Sequence, residues 1–139
     1  MRNLAILLLL PLLHACAAAP LPTPDPNLAW VDVRAVPVGD VSADRLDGKR
    51  VDDARYFQVG PGPHELDVRY QYEVNRGGGV DSSGPSQVTC YLRVRYDGFV
   101  PGQRYRLEAR PLVLKAQGWL YGEGRELVAS AQLLRCGPY

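Results

Sequence analysis

The sequence predicts an all-β fold, a small antiparallel β-sandwich with one disulfide bond, and leaves a small β-barrel as the alternative. Three observations support this fold class. Apolar and polar residues alternate with a period of two, turn residues recur at short spacing, and no helical period of useful length precedes the last strand. The 139 residues, 46% hydrophobic and 22% charged, have the size and composition of one globular domain.

The first residues predict an export signal. Arg2 is followed by an apolar run over residues 4–13, which is too short to span a membrane, since a spanning helix needs roughly 20 residues. The run has the length of the apolar region of a secretory signal. It ends in Leu13-His14-Ala15-Cys16, which resembles the lipobox of bacterial lipoproteins.

This resemblance implies that residues 1–15 are a lipoprotein signal peptide and that Cys16 becomes a lipidated N-terminus. Acyl chains on that cysteine would anchor the protein in a membrane, at roughly 0.8 kcal/mol for each buried methylene. Because Ala17 is not an aspartate, the resemblance also implies the outer membrane of a Gram-negative bacterium. The alternative is an ordinary signal that is cut near residues 17–19.

Residues 16–27 are predicted to form a tether. Prolines stand at every second position from Pro20 to Pro26 and restrict the backbone to extended conformations. Such a segment acts as a semi-rigid spacer of about 3.1 Å per residue, roughly 30 Å in all, which would hold the domain off the membrane. The folded domain is then expected over residues 28–139.

Cys90 and Cys136 remain once Cys16 is assigned to the lipid. In an exported protein, an even remainder predicts one disulfide bond. It would close a loop of about 47 residues, for which chain entropy gives roughly 4 kcal/mol of stabilisation. Two separate thiols are the alternative.

The clearest strand covers residues 64–75, and two further runs with the same alternation follow. Their inward apolar residues are Leu66, Val68, Tyr70, Tyr72 and Val74, then Val88, Cys90, Leu92, Val94 and Tyr96, then Tyr105, Leu107 and Ala109. Cys90 is therefore expected in the core. Residues 125–136 are predicted as a strand, rather than a short helix, because Leu127, Ala129, Ala131 and Leu133 keep a period of two.

Residues 45–70 resemble the PEGA-like modules of bacterial surface proteins. Asp47 and Gly48 are predicted to form a tight turn, a strand follows, and Pro61 and Gly62 lead into the alternating strand. The resemblance implies a small Ig-like sandwich without catalytic residues.

Residues 97–102 are predicted to join two strands as a hairpin. The facing pairs would be Val94 with Tyr105, Leu92 with Leu107, Cys90 with Ala109, Arg95 with Arg104, and Arg93 with Arg106. Like charges that face one another destabilise a sheet, so either acidic residues cover these arginines or a ligand uses them. The strand over residues 64–75 offers such acids. Pairing across residues 76–86 would place Asp67 opposite Arg93 and Glu65 opposite Arg95. A register shift of two residues would keep the same faces and change only these partners.

The outward residues form the candidate binding surface: Tyr91, Arg93, Arg95, Arg104, Arg106 and Arg110. One interpretation is a solvated sheet on which opposite charges alternate. The other is a basic patch around Arg104, Arg106 and Arg110 that holds an anionic envelope component, such as a lipopolysaccharide phosphate, or an acidic protein loop. Tyr91 is the first candidate for an interface because it is an outward aromatic residue.

No motif predicts an enzyme, a metal site or a cofactor. His64 is the only histidine after Cys16 and has no Cys, His or carboxylate partners at metal-ligand spacing. The adjacent Asp52 and Asp53 would point to opposite faces of a strand. Ser82 and Ser83 have no base placed beside them by a motif. With a net charge of +1 and no basic tail, no nucleic-acid partner is expected.

The sequence thus predicts a non-enzymatic, lipid-anchored protein of the cell envelope whose small β-domain binds a partner or gives structural support. One alternative is an inhibitor of a lysozyme-like hydrolase, which would use the glycine-rich loop over residues 75–85 to enter an active-site cleft. The other alternative is an accessory subunit of an envelope assembly.

Overall fold

The computed structural model describes residues 16–75 and 84–137, which form two packed β-sheets. In chain order the strands are β1 (Ala29–Ala35), β2 (Asp40–Leu46), β3 (Lys49–Arg50), β4 (Tyr56–Val59), β5 (Gly62–Val74), β6 (Ser86–Phe99), β7 (Arg104–Leu112), β8 (Lys115–Tyr121), β9 (Leu127–Ser130) and β10 (Gln132–Gly137). Sheet A has the strand order β4-β1-β7-β8-β9, and sheet B has the order β10-β6-β5-β2-β3. The predicted β-sandwich is confirmed, and the sheets are not closed into a barrel.

The core between the sheets is built from the inward residues of the alternating strands. Its largest fully buried side chains are Tyr70, Phe57, Leu66, Leu92, Leu107, Leu120, Val31, Val59, Val68, Val94 and Cys90. Burying an aliphatic or aromatic side chain of this size stabilises the fold by about 1.5–3 kcal/mol. The period of two in the sequence therefore identifies the face of each strand that meets the other sheet.

The predicted disulfide bond between Cys90 and Cys136 is confirmed, with an S–S distance of 2.01 Å. Cys90 lies in β6 and is fully buried, and Cys136 faces it directly from β10. The bond therefore fastens an edge strand of sheet B to its inner neighbour.

The predicted register between β5 and β6 is confirmed. Glu65 pairs with Arg95, and Asp67 pairs with Arg93. The inward residues agree as well, since Val68 faces Leu92 and Tyr70 faces Cys90. Residues 76–83, which connect these two strands in sequence, lie outside the described part of the chain.

The predicted hairpin between β6 and β7 is wrong, because β7 lies in sheet A, parallel to β1 and antiparallel to β8. None of the facing pairs expected from that hairpin forms: Val94 with Tyr105, Leu92 with Leu107, Cys90 with Ala109, Arg95 with Arg104, and Arg93 with Arg106. Phe99 accounts for the difference. It is 3% exposed and packs against the rings of Tyr96 and Tyr105, with centroid distances of 5.0 and 5.1 Å. A buried aromatic residue in the connection carries the chain across the core, whereas a tight hairpin leaves its turn in solvent.

Most of residues 125–136 form strands, as predicted, but the strands begin only at Leu127 and divide between the two sheets. β9 pairs with β8 in sheet A, and β10 pairs with β6 in sheet B. Ala131 stands between them, and its backbone N–H donates to the Gly118 carbonyl at 2.8 Å. Leu127 is 56% exposed and so does not point inward as expected.

The sandwich has two ends, named here after a turn at each. At the Gly102 end, the Gly102 N–H donates to the Leu28 carbonyl just before β1 begins. At the Val113 end, β1 stops at Ala35 and the turn between β7 and β8 begins. In the two described ranges, no helix has the length and apolar content that crossing a membrane requires.

Part of the proline-rich segment, residues 16–27, lies along β4. The Asp25 N–H donates to the Gln58 side chain at 3.0 Å, and Arg55 donates to the Ala19 carbonyl at 2.6 Å. These contacts hold residues 19–25 beside the domain. The part of the segment that can act as a spacer is therefore shorter than the predicted length of about 30 Å.

Candidate functional site

The structure divides the predicted binding surface between two outer faces. Tyr91, Arg93 and Arg95 lie on β6, in sheet B. Arg104, Arg106 and Arg110 lie on β7, in sheet A. These two groups therefore cannot form one continuous patch on a single sheet.

On sheet B, the predicted surface arginines are bound by carboxylates. Arg93 donates from Nε and Nη2 to the two carboxylate oxygens of Asp67, at 2.7 and 2.8 Å. Arg95 donates to Glu65 at 2.8 Å, and Arg93 lies 3.1 Å from the other oxygen of Glu65. The hydrogen bonds to Asp67 hold the pKa of Arg93 above its usual value. Asp67 is only 4% exposed, so this forked pair is part of the folded framework.

Tyr91 lies on the outer face, as its position in β6 predicts, but its ring is covered. The guanidinium carbon of Arg135 lies 4.3 Å from the centre of the Tyr91 ring. A cation over an aromatic face is an attractive contact within the protein itself.

On sheet A, the outward arginines line a groove of about 450 Å³, named here the arginine groove. Its charged and aromatic lining residues are Asp32, Arg104, Tyr105, Arg106, Glu108, Arg110, Tyr121, Glu123 and Arg125. β1, β7 and β8 form its floor, and the turn between β8 and β9 forms one wall. Arg104, Arg106 and Arg110 line the groove together because a period of two places them on one face of β7.

Arg104 is fixed over Trp30 by a shared carboxylate. Asp32 accepts a hydrogen bond from Trp30 Nε1 at 2.8 Å and one from Arg104 Nε at 2.9 Å. The Arg104 guanidinium lies 5.6 Å from the Trp30 ring, whose other neighbour is Tyr56, stacked at 4.2 Å. Trp30 is 3% exposed but lies outside the core cluster between the sheets.

The Asp32 carboxyl and the Arg104 guanidinium perturb one another. Burial alone would raise the pKa of Asp32, but hydrogen bonds from Arg104 and Trp30 and the charges of Arg104 and Arg106 bring this pKa below its ordinary value. The hydrogen bond to Asp32 in turn raises the pKa of Arg104. Both groups are therefore charged at neutral pH.

Further along the groove, two arginines share one carboxylate. Arg106 lies 3.7 Å from Glu108, and Arg110 lies 3.3 Å from the other oxygen of the same side chain. Arg110 also lies 5.4 Å from the Trp119 ring. Arg125 has no carboxylate within 4 Å among the described residues. The groove therefore offers guanidinium N–H groups that its own acids do not fully use.

The other residues considered in the sequence lie apart from this groove. His64 Nδ1 is 2.6 Å from the Asp47 carboxylate at the turn between β2 and β3. Asp53 binds Arg55, and this hydrogen bond lowers the Asp53 pKa to about 2. Within residues 16–75 and 84–137, no cluster of three His, Cys, Asp or Glu side chains could hold a metal ion.

Two predictions are not tested by the described residues: the use of the glycine-rich loop in a hydrolase cleft and the lipidation of Cys16. Ser82 and Ser83, and most of the glycine-rich loop proposed for a hydrolase cleft, lie outside the described residues. Cys16 is the first described residue and is exposed. Its lipidation stays a prediction.

The alternation in the sequence placed Arg104, Arg106 and Arg110 on one face of β7. It did not predict which side chains of the neighbouring strand contact these arginines. Trp30 and Asp32 come from β1, which lies parallel to β7, and a parallel neighbour distant in sequence leaves no local signal. Glu108 alternates with Arg106 and Arg110 in the sequence and was therefore expected on the same face, but its ion pairs with both arginines were not predicted.

The side chains that line the arginine groove are those of arginine, aspartate, glutamate and tyrosine, all of which carry charge or can form hydrogen bonds. No family model, curated protein or solved structure matches the chain.

Proposed function

We propose that the protein is a non-enzymatic, lipid-anchored component of a Gram-negative cell envelope, and that its β-sandwich binds an anionic envelope component in the arginine groove. The observation that supports this most is the convergence of Arg104, Arg106, Arg110 and Arg125 on one groove of sheet A. A phosphate-bearing headgroup, such as that of lipopolysaccharide, has the chemistry that this groove would recognise.

The charges in the groove favour an anion moderately. Four arginines stand against Asp32, Glu108 and Glu123, and four positive charges against three negative ones leave a net charge of +1. Each guanidinium has five N–H donors, whereas Arg106 and Arg110 share a single carboxylate. A phosphate could therefore bridge these two arginines without first displacing Glu108.

The anchor is supported by the lipobox-like Leu13-His14-Ala15-Cys16 and by the exposure of Cys16. Intact-mass measurement of protein extracted from membranes tests it. The expected species begins at Cys16 and carries added acyl mass. A chain that begins elsewhere, or carries no lipid mass, would contradict the anchor but not the groove.

Calorimetric titration with a bis-phosphorylated glucosamine disaccharide tests the groove. The double variant Arg106→Gln with Arg110→Gln should weaken binding by about tenfold or more, since a hydrogen bond to a charged group contributes about 1.5–3 kcal/mol. Binding to the unaltered protein should also weaken as salt is added.

Arg95→Gln is the matched control, because Arg95 is an exposed arginine on the opposite sheet. It should bind the disaccharide as the unaltered protein does. Equal binding by all three proteins, or equal loss in both variants, would rule out the groove as the site.

A further inference from the structure

The turn between β7 and β8 exposes three consecutive aliphatic side chains, residues 112–114, named here the apolar tip. Leu112, Val113 and Leu114 are 49%, 77% and 51% exposed. Turns of two residues between antiparallel strands favour Asn, Asp and Gly, because their backbone needs positive φ. Val113 has a φ of 53°, where a β-branched residue is rare. Aliphatic side chains thus occupy a turn whose backbone favours small polar residues.

The apolar tip is braced from the opposite sheet. The Tyr72 hydroxyl, from β5, lies 2.8 Å from the Val113 carbonyl and 2.6 Å from the Lys115 carbonyl, and it can donate to one of them at a time. Tyr72 is 3% exposed, and burial raises its pKa, so the hydroxyl keeps its proton as a donor at neutral pH. The exposed side chains are therefore presented on a supported turn.

The proline-rich segment leads back toward the same end of the sandwich. Asp25 bonds to Gln58, which pairs with Trp30 near the start of β1. Ala19 bonds to Arg55, just before Tyr56, which pairs with Asp32 further along β1. From residue 25 back to residue 19, the segment thus follows the direction of β1, toward the Val113 end.

Cys16 lies part of the way to the apolar tip along the strand direction. Ala19 bonds to Arg55, one residue past the Asp32–Arg106 pair, and three extended steps of about 3.1 Å then place Cys16 about 12 Å beyond that pair. The tip lies about 20 Å beyond the same pair, since Leu112 is six strand residues past Arg106, and the acyl chains of Cys16 can cover the remaining distance of about 8 Å. An acyl chain on Cys16 and the apolar tip would therefore reach toward one surface.

Cations flank the apolar tip. Lys115 pairs with Leu112 at the base of the turn, and Arg110 precedes it on β7; both are exposed. An apolar projection with cationic neighbours fits a bilayer that carries anionic headgroups, because each cation near such a surface adds attraction.

We propose that the apolar tip inserts into the anionic phospholipid bilayer that holds the acyl chains of Cys16, so that the domain touches the membrane at two points. The inference rests on the lipid anchor proposed above. It orients the sandwich, with the Val113 end toward the bilayer and the Gly102 end away from it. The arginine groove then runs along the side of the domain, with Arg110 nearest the headgroups.

Tryptophan quenching by brominated acyl chains tests this contact. The full-length protein, processed and lipidated in cells, is reconstituted into anionic phospholipid vesicles with and without brominated chains. Leu114→Trp is the reporter, because Leu114 does not have positive φ. Leu127→Trp is the matched control, since Leu127 is a leucine of similar exposure, 56%, at the start of β9. Quenching at position 114 but not at position 127 is the expected result.

A second variant separates docking from folding. Adding Leu112→Ser and Val113→Asn to the reporter should remove most of the quenching, since each of these exposed aliphatic side chains shifts the docked-to-undocked ratio by about tenfold. The unfolding midpoint should stay the same or rise, because asparagine tolerates positive φ.

The outcomes distinguish the tip from the anchor. If the protein floats with vesicles but position 114 is not quenched, or is quenched no more than position 127, the apolar tip does not enter the bilayer and a protein partner is the better occupant. If the protein does not float and carries no lipid mass, the anchor itself is wrong.

Discussion

The two outer faces of the sandwich carry arginines in similar number, but the side chains that contact these arginines differ between the faces. On sheet B, the antiparallel register of β5 and β6 sets Arg93 and Arg95 directly against Asp67 and Glu65. On sheet A, Arg106 and Arg110 share Glu108, and Arg104 is placed over the Trp30 ring. On sheet B the two arginines of β6 are therefore bound by carboxylates of β5, whereas sheet A leaves donors directed into a groove.

The difference teaches that a count of outward arginines does not locate a binding surface. What decides is whether a carboxylate occupies the cross-strand position, because facing opposite charges bind one another before any ligand does. A buried carboxylate such as Asp67 fixes its partner further, since separating the pair would leave an uncompensated charge.

The largest expected effect concerns the disulfide bond, which braces sheet B alone. Replacing Cys90 and Cys136 together with alanine should lower the free energy of unfolding by about 4 kcal/mol, because the bond closes a long loop with a sequence separation of 46 residues. Denaturant unfolding of the variant and of the unaltered protein measures the change. A loss below about 1 kcal/mol would mean that the pairing of β10 with β6 persists in the unfolded ensemble.

The same substitution on each face compares the two arrangements directly. Asp67→Asn should cost about 2–3 kcal/mol, since it removes the charge from a buried, forked pair with Arg93. Asp32→Asn should cost about 0.2–1 kcal/mol, because the Asp32 side chain is 35% exposed and solvent weakens its pair with Arg104. Urea unfolding at neutral pH gives both values. Equal losses would remove the distinction drawn between the faces.

The local parts of this fold could be predicted from the sequence. Alternation in residues 64–75 and in β6 identified their inward faces, and the acidic residues favoured the register that pairs Glu65 with Arg95, although a shift of two residues kept the same faces. The tight turn expected at Asp47 and Gly48 forms with φ of 50° and 81°, as that residue pair favours. Each of these features depends on residues that are near one another in the chain or joined by one hairpin.

The predictions that were wrong or incomplete are those that depend on which sheet a strand joins. Residues 97–102 carry ordinary turn residues, but Phe99 is buried and the chain crosses to the other sheet after it. The arginine groove needed the parallel contact of β1 with β7, which brings Trp30 and Asp32 beside Arg104 across some seventy residues of chain. Alternation reports the face of a strand but not its neighbour, so the groove could not be assembled from the sequence.

The smallest expected effect is the loss of stability in acid that is due to Asp32, and it tests the ion pair between Asp32 and Arg104 on sheet A. The pKa of Asp32 is lowered in the folded protein, chiefly by the hydrogen bond from Arg104, so its contribution to stability is present above its ordinary pKa and lost as the pH falls through the lowered value. The stability difference between the unaltered protein and Asp32→Asn should be constant from about pH 7 to about pH 5 and shrink below about pH 4. Urea unfolding across this range measures it.

Arg104→Gln provides the control for this titration. The hydrogen bond from Arg104 is the largest influence that lowers the Asp32 pKa, so its removal should shrink the acid-dependent part of the difference while the hydrogen bond from Trp30 remains. An unchanged acid dependence in Arg104→Gln would mean that Trp30, rather than the arginine, holds Asp32 in its charged form. The guanidinium of Arg104 would then be available to a ligand in the groove, and sheet A would differ from sheet B more than the ion pairs alone indicate.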